Sequence, residues 1–154
     1  MGGLNASTTP KIVHAVFAGA SSVLTAGQTY YIGNGNKYVA PHGTEGVAGG
    51  KSPVPNLDPY KNYFITKMEV TFGTAPAAGE SFVFTVRTDH ATHFSMADST
   101  LTATLTGDAA TVTATGQAKI ALDASDSVTI KIAYTGSATT TTTVLVVLTI
   151  EELN

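Results

Sequence analysis

The chain has no cysteine and no tryptophan. Without cysteine there is no disulfide framework, no thiolate metal site and no thiol nucleophile, and the redox compartment leaves no trace in the sequence. Charge is also scarce. Only 12% of the 154 residues are charged, about half the usual fraction of a soluble protein, and the formal net charge is -3. Lys and Arg together number 8 and are scattered singly, which argues against a nucleic-acid partner, since nothing forms a basic stripe or a stacking platform. No run reaches the roughly 18 apolar residues of a membrane span. Met1-Gly2-Gly3-Leu4 lacks the basic start and apolar stretch of a secretory signal, so synthesis and assembly are expected in the cytoplasm of the producing cell.

Thr, Ala, Gly and Val take the place of charge. A surface of hydroxyl and methyl groups repels its neighbours weakly, because net charge is what keeps copies of a protein apart. Such a surface suits a subunit that works in contact with others. At 154 residues the chain has the size of one domain with one core.

Nearly every patterned segment alternates with period 2, the mark of half-buried strands. Tyr63 to Phe72 is expected to place Phe64, Met68, Val70 and Phe72 on one face and Lys67, Glu69 and Thr71 on the other. Phe82, Phe84 and Val86 alternate with Val83, Thr85 and Arg87; Val128, Ile130, Ile132 and Tyr134 with Thr129, Lys131 and Ala133. Leu101, Ala103 and Leu105 alternate with threonines, and Val112 sits between Thr111 and Thr113. Ile12 to Ala18, Thr29 to Ile32 and Thr142 to Glu151 bring the count to about eight strands, rich in β-branched residues. Turn chemistry separates them, as in Ala75-Pro76-Ala77-Ala78-Gly79 and Asp123-Ala124-Ser125-Asp126. The expected fold is all-β, a jelly-roll-like antiparallel β-sandwich.

Residues 1–11 read as an N-terminal arm and 12–154 as a single domain. From Gly33 to Pro59 the alternation gives way to Gly33, Gly35, Gly43, Gly46, Gly49, Gly50 and four prolines. Loops of this length in a compact domain are usually functional or disordered. Leu4 in the arm and Tyr38, Val39, Val47, Val54 and Leu57 in the excursion are candidate contact residues; the alternative is a surface loop with no role. In the last strand both faces are apolar, Leu145 and Val147 as much as Val144, Val146 and Leu148. Either a loop of the same chain covers the second face, or another subunit does.

Phe72-Gly73-Thr74-Ala75-Pro76-Ala77-Ala78-Gly79-Glu80-Ser81-Phe82-Val83-Phe84-Thr85-Val86-Arg87 resembles a recurrent pattern in virion proteins of tailed bacteriophages, a strand ending in an Ala-Pro-x-x-Gly turn before a Phe-Thr-Val-Arg strand. The resemblance runs on through Leu101–Gly107, Ala121–Ile132 and the Ser137-Ala138-Thr139 turn, covering residues 60 to 150. It implies a head decoration (cement) protein or a jelly-roll fibre head, commonly trimeric, located on the capsid exterior with the major capsid protein as partner. The segment from Asp89 to Ser99 departs from the pattern.

His90 and His93, with Asp89 and Asp98 nearby, are the candidate metal ligands, set against exposed loop histidines as the plainer reading. Ser95, His93 and Asp98 can be written as a triad, but neither a nucleophile elbow nor an oxyanion-hole loop accompanies them. No catalytic residue, cofactor or enzymatic activity is expected. The alternative function is a receptor- or carbohydrate-binding sandwich at a fibre or tail tip, with Tyr30, Tyr31, Tyr38, Tyr60 and Tyr63 as stacking residues.

Overall fold

The computed structural model describes residues 11–33, 53–91, 95–107, 112–136 and 139–153, with only the backbone of residues 20–22 and 139–141. Eight strands follow one another: β1 Ile12–Thr25, β2 Thr29–Gly33, β3 Asn62–Phe72, β4 Ser81–Thr88, β5 Ala97–Thr106, β6 Thr113–Asp123, β7 Val128–Thr135 and β8 Thr139–Glu152. They form two four-stranded sheets, β1-β8-β3-β6 and β2-β7-β4-β5, and every neighbouring pair is antiparallel. Apart from the β4–β5 hairpin, every connection passes from one sheet to the other. This order is that of a jelly roll.

Burial follows the alternation. Val144, Val146, Leu148 and Ile150 of β8 face Phe82, Phe84, Val86, Ile130 and Ile132 of the other sheet across a core in which all are fully enclosed or nearly so. Phe72 locks the two layers together, with its ring edge-on to Phe82 at 4.8 Å and to Phe84 at 5.5 Å, while Phe82 stacks on Tyr134 at 4.2 Å. Edge-on and offset pairs of this kind add a little beyond the area they bury.

Two expectations need correction. In β3 the pairing with β8 shifts between Ile65 and Lys67, where β3 carries one extra residue. The alternation therefore changes phase: Tyr63 and Ile65 are buried together with Met68, Val70 and Phe72, while Phe64 turns outward and lies under the Lys119 ammonium at 4.3 Å. A bulge breaks a period-2 count because two residues then oppose one. The second correction concerns the excursion. Pro53 bridges to Ser127, and Val54 belongs to the chain's own core at 3% exposure, with Leu57 packed partly against it. Both side chains anchor the excursion's end to the sandwich, Val54 within the core and Leu57 partly buried against it.

Candidate functional site

Strand register places the chain's ends and longest connection together. Ile12 pairs with Glu151, Tyr63 with both Glu152 and Leu122, Asn62 with Asp123, Gly33 with Thr129, and Thr88 with Val128. The entry to β1, the exit of β8, both described flanks of the 33–59 excursion, the β4–β5 loop and the β6–β7 turn thus share one end of the sandwich. Local bonds stiffen it: the Glu152 N–H donates to Lys11 O at 2.9 Å, the Leu153 N–H to Asn62 O at 2.8 Å, and the Asp58 N–H to the buried Tyr63 hydroxyl at 2.9 Å. Leu4, Tyr38, Val39 and Val47 lie outside the described residues, as does His93.

The outer face of the β1-β8-β3-β6 sheet is the second feature. β8 is an interior strand, paired with β1 and β3. Its outward residues Leu145 and Val147 stand opposite Ala18 and Val16 of β1. Val16 is 51% exposed and Leu145 41%, and with Ala18 they form an apolar patch at the middle of the two strands; Ile12 and Val23, 57% and 56% exposed, lie apart from it, Ile12 beyond exposed His14 and opposite Glu151. Val147 is half-buried within the patch. Towards β3 the face turns polar, with Lys67 paired to Glu69 at 2.9 Å and Thr66 bonded to Glu151 at 3.1 Å. A shallow cleft of about 240 Å³ opens beside the patch, lined by Ala18, Thr71, Phe72, Gly73, Thr143, Val144 and Leu145. That is below the usual 300–1,000 Å³ of small-molecule sites.

The opposite sheet presents charge instead. Asp98 accepts from Arg87 and Lys131, and Arg87 also lies over the Tyr31 ring at 5.8 Å and donates to Met96 O at 2.8 Å. Partial burial works to raise the Asp98 pKa, but the bonds from Lys131 and Arg87 outweigh it and hold the carboxyl below its ordinary value. Asp98 is thus committed to a cross-strand ion cluster and is not the neighbour of His90 that its sequence position suggests.

His90 instead meets the β6–β7 turn. Its Nδ1 lies 2.5 Å from Asp126 Oδ2 and 3.8 Å from Asp123 Oδ2. The Asp126 side chain is completely buried, and its Oδ2 also accepts the Asp123 N–H at 2.6 Å. Asp89, buried as well, accepts the Ser127 N–H at 2.7 Å and ties the β4–β5 loop to the start of β7. Sequence spacing could not show this grouping, because His90 and its partners come from two separate loops.

Among the described residues the tyrosines do not assemble into a stacking platform. Tyr63 is a core residue, the Tyr30 hydroxyl accepts the Thr25 N–H at 2.8 Å, Tyr31 sits under Arg87, and Tyr60 is 93% exposed; Tyr38 lies outside the described residues. Among the described residues no helix is long and apolar enough to cross a membrane. Compared with known proteins, the chain matches no family model and no curated protein.

Proposed function

We propose that this chain is a non-enzymatic structural subunit of a virion, a capsid decoration or cement protein that acts by protein–protein contact. The observation that carries this reading is the exposed apolar row of Val16 and Leu145 with Ala18 and half-buried Val147, on an otherwise well-packed sandwich. A soluble monomer seldom leaves contiguous apolar surface without a partner, and the resemblance of residues 60 to 150 to tailed-phage virion proteins supplies the kind of partner. The row is the surface by which copies associate, as a homotrimer, and the major capsid protein is the second partner.

Magnitudes divide the work. Val16 and Leu145 are each about half exposed, and hiding the rest gains roughly 1 kcal/mol apiece. Association costs on the order of 4–15 kcal/mol, so these side chains centre a contact between copies that the surrounding residues of the same sheet face must complete. The arm and the excursion, both leaving from the same end of the sandwich, supply the attachment to the capsid, and repetition over three copies multiplies weak contacts into firm binding.

The test is to delete residues 1–11, or to replace residues 38–52 with a short Gly-Ser linker that spares core Val54 and packed Leu57. Each variant is added to particles lacking the protein. Normal folding and trimerisation with lost binding is the expected result; full-strength binding by both variants refutes the assignment of the attachment.

A further inference from the structure

We infer that His90, Asp123 and Asp126 form a binding site for one first-row divalent cation, Zn²⁺ foremost, that fastens the β4–β5 loop to the β6–β7 turn. The donors are one imidazole nitrogen and two carboxylates, drawn from loops more than thirty positions apart and brought within 4.8 Å of one another. This mixed nitrogen and oxygen set suits zinc and its first-row neighbours, whereas Ca²⁺ and Mg²⁺ take all-oxygen shells. Ligands 2.0–2.2 Å from one ion at tetrahedral angles stand about 3.4 Å apart. The separation between His90 Nδ1 and Asp123 Oδ2 is already 3.8 Å. The contact with Asp126 is 2.5 Å and must open by about 1 Å to admit an ion between the two ligand atoms.

The surroundings are arranged as a ligand shell needs. Asp126 is completely buried and held by the Asp123 N–H, so its oxygen is aimed before any ion arrives. His90 and Asp123 are 34% and 41% exposed, which provides an entry path and leaves further positions for water. Asp89, next in sequence to His90, accepts the Ser127 N–H at 2.7 Å and so ties the His90 loop to the end of the Asp123–Asp126 turn. Two carboxylates drawn together repel unless a cation lies between them. The competing description is that the imidazolium of His90 alone serves as that cation.

The experiment uses the full chain without an affinity tag, stripped with EDTA, titrated with ZnCl₂ by calorimetry and by thermal melting. CaCl₂ serves as the hard-cation control. His90→Ala and Asp123→Asn are compared with the wild type, and both leave the Asp123 N–H bond to Asp126 in place. Their metal-free melting curves are recorded first, so that loss of folding is distinguished from loss of binding. The expected result is one Zn²⁺ per chain, a melting temperature several degrees higher when saturated, and affinity at least tenfold weaker in each variant. Zn²⁺ without effect on the wild type overturns the inference in favour of the imidazolium bridge. Equal Zn²⁺ binding by the variants overturns it in favour of another site such as exposed His14, and equal stabilisation of wild type and His90→Ala by Ca²⁺ refutes the part given to the imidazole.

Discussion

Gly116 of β6 sits hard against the backbone of β5 in the other sheet. A Cβ added there would overlap the Thr102 carbonyl of β5, a backbone group that cannot swing away as a side chain can. Gly116→Ala must push β6 off β5, and overpacking of this kind costs about 1–3 kcal/mol; a urea midpoint equal to the wild type would show that the strands are not so tightly apposed. At the sandwich end opposite the excursion, Tyr134 donates to Glu80, whose other oxygen accepts the Ala77 N–H at 2.7 Å. Burial first, then the bond to Glu80 and its charge, push the Tyr134 hydroxyl up from 10.0 to about 12. A folded-state value above the unfolded one means that the stability contributed is complete below pH 10 and is lost as pH rises through 12. Tyr134→Phe should cost about 1–3 kcal/mol by stranding a buried carboxylate oxygen, and should remove this share of the alkaline loss. Parallel denaturation curves for the two proteins between those pH values check it: an unchanged alkaline slope in the variant would contradict the assignment.

Elements were legible in the sequence where one face is apolar and the other polar, and less so where a bulge or small residues intervene. β4 and β7 bury the apolar set the period predicts, Phe82, Phe84 and Val86 with Val128, Ile130, Ile132 and Tyr134, but Thr85 and Thr129, expected on the outer face, are buried as well. β6 shows almost no alternation, because its inward residues before Ile120 and Leu122 are Ala114, Gly116 and Ala118, kept small by the closeness of β5. The extension of β1 through Gly19 to Thr25 carries no clear alternation either, because the pairing with β8 shifts between Gly19 and Ser22. In β3 the extra residue near Thr66 reverses the inward set, and substitutions distinguish the two phases. Ile65→Ala should cost about 2–5 kcal/mol as a core truncation. Phe64→Ala, losing an exposed cation–π contact, should cost about 1 kcal/mol or less. The opposite ranking by chemical denaturation would restore the uninterrupted alternation.

At the scale of the whole molecule, the jelly-roll order gathers at one end the flanks of every segment the composition marked as a contact candidate, together with the His90 cluster. Composition marked the excursion, but only the fold shows that its last residues, through Val54, serve the core. Likewise the doubly apolar β8 was visible from residues 142 to 150, whereas its interior place in the sheet and its companions Val16 and Ala18 on β1 depend on long-range pairing. The cation cluster was legible only as far as His90, since its true partners lie in a distant turn. The account stands on the apolar row being a subunit interface, and the most direct measurement is light scattering at tens of micromolar on the wild type and on Val16→Lys/Leu145→Lys, with circular dichroism to confirm an unchanged β spectrum. Both residues point outward, and Val16→Thr/Leu145→Thr serves if the lysines unfold the chain. The prediction is the mass of three chains for the wild type and of one for the variant; a wild type that scatters as a single chain, or a folded variant that still scatters as three, contradicts it.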